Sequence, residues 1–372
     1  MKIKNLLAGI LLCLAAASCI RNEAPNAEAD IESCRVLADV LLSAPIIEND
    51  RITLMIKPYI DEDLLTRLQL DFDLTPGATI DPPGGTVRDF SSPQKYIVTS
   101  EDGKWKKEYT ITCSVHGIQT EYHFENFNLD KNGRYYEFYE MIPESPDPQT
   151  IWASGNSGFA LVSESAKPED YPTAPYEHGK EGHCAKLTTR LTGPLGTALD
   201  MPIAPGNLFI GKFNALTALT NALKATRFGR PFQFVPTYLT GYYQYKAGEI
   251  FTDAELNVLP DRTDIFDIYA IMYETDDKTT YLDGNNSLTS SNLIAIARFD
   301  PADKKEADEW THFSLPFEYL PGKTIDPDKL KNGLYNISVI FSSSADGATF
   351  EGAVGSTLLV DEVTLVHLDD EE

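Results

Sequence analysis

G-S-T-L-L-V-D-E-V-T-L-V, from Gly355 to Val366, is the stretch whose reading decides the fold. Side chains along a strand alternate between two faces. On that count Asp361 falls with Leu359, Val363 and Leu365. Glu362 falls with Leu358, Val360, Thr364 and Val366. Both faces are apolar, as a central strand of a sandwich requires. The two acids are predicted to point to opposite sides, which is not the placement of a catalytic pair. A carboxylate buried on either face is costly unless it is paired or coordinated.

The same signal recurs along the chain. Leu68, Leu70, Phe72 and Leu74 alternate with polar residues, as do Tyr96 with Val98 and Tyr109 with Ile111. D-I-F-D-I-Y-A-I-M-Y-E, Asp264 to Glu274, is a near-continuous apolar run. Leu293 to Phe299, Trp310 to Leu315 and Tyr335 to Phe341 follow with period two or β-branched enrichment. In G-Y-Y-Q-Y-K, Tyr243 and Tyr245 share a face with Gly241, while Tyr242 lies with Gln244 and Lys246 on the wetter one. Turn residues separate the runs: Pro82-Pro83-Gly84-Gly85, Asp283-Gly284-Asn285-Asn286, Pro321-Gly322 and Asp346-Gly347. Many short strands so spaced predict all-β sandwiches. One segment differs. Phe213, Leu216, Leu219 and Leu223 stand at helical spacing, and Gly229 can close a helix or irregular crossing there.

At ~100–200 residues per domain, the 372 residues predict two or three domains. The formal charge of −25 argues against nucleic acid, whose phosphates need a Lys/Arg surface. It equally argues against electrostatic docking on anionic lipid.

The N-terminus has a basic start (Lys2, Lys4), an apolar stretch from Leu6 to Leu14 and small residues before Cys19. That is a secretory signal, too short for a membrane span. Ala17-Ser18-Cys19 resembles the lipobox of bacterial lipoproteins, with Ala16 where Leu is usual. The resemblance implies cleavage before Cys19, lipidation of Cys19 and an outer-membrane address, periplasmic or cell-surface facing. The alternative is an ordinary secreted protein. No acid precedes Cys19, so loss of Lys2 and Lys4 takes the charge from −25 to −27. Residues 1–18 are then the signal, 19–32 a polar tether and 369–372 an acidic tail.

Cys34, Cys113 and Cys184 remain. Three thiols without C-x-x-C spacing make no zinc site. Cys34 and Cys113 either pair, if their strands adjoin, or are buried free thiols.

Thr75 to Cys113 contains P-G-A-T-I-D-P, D-F-S-S-P and Y-I-V-T-S-E-D-G. These resemble the second half of a bacterial Ig-like module and imply such a β-sandwich over residues 33–117, acting as a spacer. From residue 118 the chain resembles the family called the putative carbohydrate metabolism domain. The residues that carry the resemblance are F-E-N-F (Phe124 to Phe127), I-W-A-S-G-N-S-G-F (Ile151 to Phe159), I-A-P-G-N-L-F-I-G-K-F (Ile203 to Phe213), A-T-R-F-G-R-P-F (Ala225 to Phe232) and G-A-V-G-S-T-L-L-V-D-E-V (Gly352 to Val363). It implies a larger jelly-roll over residues 118–368, similar to carbohydrate-binding modules. Jelly-roll modules of that kind often end in a similar V-D-E strand whose Asp helps hold a structural calcium. That resemblance implies a calcium on Asp361 with Glu125, or else the amide of Asn126, as its partner. The competing reading has Asp361 capping backbone amides or meeting Arg or Lys. No other cofactor is expected.

Other motifs fall short. G-N-L-F-I-G-K-F, Gly206 to Phe213, lacks the Ser or Thr that a P-loop needs after its Lys and reads as a buried strand entered through Pro205-Gly206. S-G-N-S-G lacks nucleophile-elbow spacing. His178 and His183 are not spaced as in H-E-x-x-H and lie in a polar loop. Glycoside hydrolysis needs two flanking carboxylates, and 56 acidic residues single out none.

Sugar binding asks for aromatic rings beside amide and charged groups. The candidates are Trp152, Asn156, Tyr171, Tyr176, His178, Arg230 and Asp346. Trp152 leads them, its competing reading being a core Trp. Three functions remain open: glycan binding, glycoside hydrolysis, or a structural adhesin or pilus-like component. The expected partner is a poly- or oligosaccharide.

Overall fold

The structure is a computed structural model that describes residues 25–41, 44–56, 62–114, 118–141, 148–163, 166–331 and 333–368. The expected signal at 1–18, Cys19 and the tail at 369–372 lie outside the described residues. The chain divides into two compact units, Met1–Val115 and His116–Glu372. Both are all-β, as the alternation predicts.

In the first unit, a three-stranded sheet orders Ile31–Val36, Leu68–Leu74 and Val87–Arg88. A five-stranded sheet orders Ile46–Glu48, Arg51–Met55, Lys106–Ser114, Gln94–Thr99 and Thr79–Asp81. The Arg51 and Lys106 strands run parallel. Ile52, Leu54, Tyr96, Val98, Tyr109 and Ile111 form its core. Part of the expected tether belongs to this fold. Asn26 N donates to Glu101, and Asp30 accepts from Lys107 Nζ at 2.6 Å and from Tyr109. The polar composition of residues 25–32 reflects these partners, not free chain. Cys34 and Cys113 are free thiols. Their strands lie in different sheets, and burial pushes both thiols up to about 12.

The second unit is a sandwich of two antiparallel sheets. The larger orders Trp152–Ala153, Asn207–Phe213, Tyr335–Ser342, Asp267–Glu274, Leu293–Arg298 and Glu318–Tyr319, with Thr226–Phe228 and Arg230–Pro231 pairing off that path. The smaller orders Thr173–Tyr176, Cys184–Thr188, Thr357–Leu368, Val235–Lys246 and Ala307–Pro316, with Glu121–Tyr122 beside Thr357–Leu368. Leu208, Ile210, Ile268, Ala270, Val339 and Phe341 of the larger sheet meet Tyr243, Tyr245, Leu358, Val360, Val363 and Leu365 of the smaller. Tyr243 and Tyr245 therefore take the core face, as their spacing predicts. The buried strand expected after Pro205-Gly206 is Asn207–Phe213.

The parity count on Gly355 to Val366 needs one correction. Leu358 and Val360 are core, and so are Val363 and Leu365. Even positions point inward before Asp361 and odd ones after it. The cause is a β-bulge: Thr240 pairs with Thr364 and Tyr242 with Asp361, so the last strand carries an extra residue. Glu362 is that residue, with φ of +48°. The two acids interrupt the strand instead of alternating within it.

The helical spacing from Phe213 resolves into two short helices, Ala215–Ala218 and Ala222–Ala225. Asn214 and Asn221 cap them, accepting from Thr217 N and Lys224 N. The chain enters from Asn207–Phe213 and leaves through Thr226–Phe228, which pairs with it, and the helices lie across the outer face of the larger sheet.

Candidate functional site

The outer face of the larger sheet is not open to water. Strand pairing sets its side chains in rows. Asn207, Ser342 and Asp267 form a polar row. Phe209, Ile340, Tyr269 and Arg298 form the next. Beyond them Phe209, Phe228, Tyr269, Ile271, Tyr273, Leu282, Leu293 and Ile340 make a second apolar cluster. The two short helices roof this floor, together with the turns at Gly284–Leu288 and Gly347–Phe350. A cavity of about 280 Å³ stays open beneath them. Phe213, Phe228, Leu219, Leu223 and Leu288 line its apolar part.

Asp267 sets the electrostatics. Its side chain is buried and accepts from Arg298 Nε at 3.2 Å, from Arg298 Nη2 and from Lys304 Nζ at 2.7 Å. Two cations on one carboxylate leave a net positive charge in a strongly acidic protein. The Arg298 guanidinium stands 5.4 Å from the Tyr269 ring centre. Burial, with Asp267 adding to it, pushes the Tyr269 phenol up to about 12, while a hydrogen bond with Ser287 opposes the shift. Asp267 is the only carboxylate among the described lining residues.

None of the seven expected sugar contacts lines this cavity. Trp152 is a core residue, not a platform. It packs on Tyr122, Phe124 and Phe341 and donates Nε1–H to Glu140 Oε1 at 2.7 Å. Asn156 is also buried. Its amide donates to Thr173 O at 2.7 Å and accepts from Thr173 N at 3.1 Å, pinning helix Asn156–Val162 to the smaller sheet's edge strand. Tyr171 is buried against Tyr135 and Phe159. Arg230 is buried and donates to Thr150 O at 3.0 Å. Asp346 faces Arg262 at 2.6 Å. These residues carry polar groups because the fold uses them. Their motifs do reach the cavity: Gly155, Gly158, Phe159 and Gly347 line it.

Tyr176 and His178 lie at the smaller sheet instead. Their rings meet edge to face at 5.2 Å, and Lys186 Nζ is 5.2 Å from the Tyr176 ring centre. The loop that follows, through His183, is where Glu125 and Asp361 come together. Asp361 Oδ2 accepts from Lys180 N at 2.7 Å and Glu181 N at 3.1 Å, and Oδ1 accepts from Glu362 N at 2.9 Å. Glu125 accepts from His183 N at 2.8 Å and faces its ring nitrogen at 3.0 Å. Gly182 has φ of +53°, and a Cβ there would fall 1.9 Å from Glu125 Oε1. The loop therefore wraps the carboxylate only because position 182 is glycine. Burial pushes Asp361 up to about 6, against the pull of those three amides. Among the described residues no three His, Cys, Asp or Glu side chains group to hold a metal ion.

Backbone amides meet both carboxylates in this arrangement, which is the competing reading of Asp361. Addition of a strong chelator is expected to leave the melting temperature unchanged. A fall that calcium restores would show that the ion, not the amides, holds the loop. Glu362 reaches His123 Nδ1 at 2.9 Å.

The cavity residues that sequence reading missed had a weak signal. Asp267, Tyr269, Ile271 and Tyr273 share one parity in the Asp264 to Glu274 run, and an acid there marks a face with its own partners. Asn207, Phe209 and Phe213 lie in the strand read as buried.

The sequence matches the family profile described as "Putative carbohydrate metabolism domain" over residues 123–366. A second profile, described as "SGBP, N-terminal", matches residues 42–113. The chain is similar to the crystal structure of a putative glycoside hydrolase from Bacteroides thetaiotaomicron, at 50% identity and a TM-score of 0.83, over 94% of this chain and 100% of that one. It is similar to a second so named, from Bacteroides vulgatus, at 44% identity and a TM-score of 0.64, over 68% of this chain and 99% of that one. No curated protein matches it.

Proposed function

The chain belongs to the family described as the putative carbohydrate metabolism domain, and from that premise we propose that its second unit binds a glycan at the cavity on the outer face of its larger sheet. The observation that carries this reading is the cavity itself. It joins an aromatic floor to one charged cluster, Asp267 with Arg298 and Lys304, which is how binding pockets combine apolar area with a few orienting groups.

Binding is favoured over hydrolysis by the carboxylates. Hydrolysis needs two of them flanking the bond, about 5 Å apart or about 6.5–9.5 Å apart. The cavity offers Asp267 alone, and two cations hold it. A purely structural adhesin is disfavoured by the presence of a concave pocket. The first unit then serves as a spacer, a role supported by its Ig-like sandwich.

Titration calorimetry against a panel of plant and bacterial polysaccharides tests the reading. We expect at least one ligand, whose binding is lost in Ala222→Trp, a substitution that fills the cavity from its roof. Silence across the panel, or reducing-sugar release from any member, would sink it.

The Ala17-Ser18-Cys19 pattern supports a lipid anchor at Cys19 and residence at the outer membrane. Metabolic labelling with a palmitate analogue is expected to mark the protein and to fail in Cys19→Ala. Equal labelling of both removes the anchor from the account.

A further inference from the structure

The cavity is poorly suited to swallowing a bare sugar ring. A pyranose carries hydroxyls that need partners once water is gone, and each one left unpaired is costly. Several of the polar side chains lining the cavity are already engaged. Ser342 Oγ donates to Ser344 O at 2.8 Å and Thr226 Oγ1 to Leu223 O at 3.2 Å. Thr192 bonds Met201 O, and Asn207 Oδ1 accepts from Gly155 N at 2.7 Å. Asp267 holds Arg298 and Lys304. Under the helical roof the walls are Phe213, Phe228, Leu219, Leu223 and Leu288. The volume of about 280 Å³ sits just below that of drug-sized pockets, roughly 300–1,000 Å³.

The charged groups also sit to one side. Asn207, Ser342 and Asp267 make a single row, with Arg298 beside it, and its Nη1 lies outside the pair that Nε and Nη2 form with Asp267. One charged margin and an apolar interior suit a molecule with one polar end and one apolar end.

We propose that this cavity takes an apolar substituent, an acyl or aryl group, carried on a glycan whose sugar ring stays at the Asp267–Arg298 margin. This rests on the glycan reading above and narrows it to substituted glycans. The apolar group leaves water for a space walled mainly by apolar side chains, and the hydroxyls remain where water and Arg298 can meet them.

The test compares methyl and octyl glycosides of glucose, galactose and mannose, below their micelle concentrations, by titration calorimetry. The expected result is that one octyl glycoside binds at least about tenfold tighter than its methyl counterpart. That advantage should vanish in Ala222→Trp and in Ala218→Trp on the neighbouring helix, each checked for an unchanged circular dichroism spectrum. Equal affinity of the methyl and octyl forms overturns the proposal. So does an octyl advantage that survives both Trp variants. The outcomes separate from those of the glycan reading. If polysaccharide binds but the octyl chain adds nothing, glycan binding stands and the substituent does not. If octanol binds as well as the octyl glycosides and no polysaccharide binds, the apolar chamber stands and its tie to glycans is lost.

Discussion

Replacing Glu140 with Gln raises the stability of the second unit by about 3 kcal/mol at pH 8 and leaves it almost unchanged at pH 4. Glu140 is 5% exposed. Burial lifts its carboxyl from 4.5 to about 7, against the pull of the Trp152 indole N–H and the nearby His123. An acid with a raised pKa favours folding while it is protonated. That contribution is fully present below about 4.5, the unfolded value, and is lost as pH rises through about 7. At pH 8 the native state holds a buried anion that the unfolded chain solvates. Gln removes the charge, keeps the shape, and still offers an oxygen to Trp152 Nε1. For a unit of this size, ~2–4 °C per kcal/mol makes the expected rise several degrees in melting temperature. Thermal melts of both proteins from pH 4 to pH 8, followed by Trp fluorescence, should diverge steadily as pH rises. Parallel curves would show that Glu140 titrates alike in the folded and unfolded chain, so that burial does not shift it.

Glu140 also explains why the best sequence candidate failed. Nothing around I-W-A-S-G-N-S-G-F separates a sugar platform from a core indole, because both want a Trp next to small polar residues. The deciding group is an acceptor twelve residues earlier, and no periodicity links the two. Asn156 misled in the same way: its amide replaces strand pairing for Thr173, a contact made only once the fold exists. What could be read was whatever depends on local alternation. The all-β class, the inward Tyr243 and Tyr245 and the strand from Asn207 all follow from period two. At Asp361 that period breaks, because one inserted residue with positive φ reverses the parity of everything after it. The cavity was hardest to read. Its floor is visible as the shared parity of Asp267 and Tyr269. Its roof comes from distant segments, the helices at residues 215–225 and the turns near Gly284 and Gly347, whose meeting place no local pattern encodes.

The same exchange of acid for amide at Asp267 has the opposite sign. Asp267→Asn lowers stability by about 3–5 kcal/mol, the usual loss when one partner of a buried ion pair is removed. The difference lies in what each carboxylate faces. Glu140 meets a neutral indole, which an amide oxygen satisfies equally well. Asp267 meets two cations, and the Lys304 side chain beside it is only 3% exposed. An Asn at 267 keeps one acceptor oxygen and turns an NH₂ group toward Arg298 or Lys304, leaving a buried ammonium without its counter-charge. Urea denaturation measures the loss, and a change under about 1 kcal/mol, the scale of an exposed pair, would show that the pair is solvated. Lys304→Met tests the cause. On its own it costs stability, because the carboxylate keeps only Arg298. Combined with Asp267→Asn it should recover much of the loss, since the orphaned cation is gone and an apolar side chain fills its place. A double variant whose loss equals the sum of the two singles would mean that Asp267 and Lys304 act independently. The cavity margin would then owe its charge to Arg298 alone.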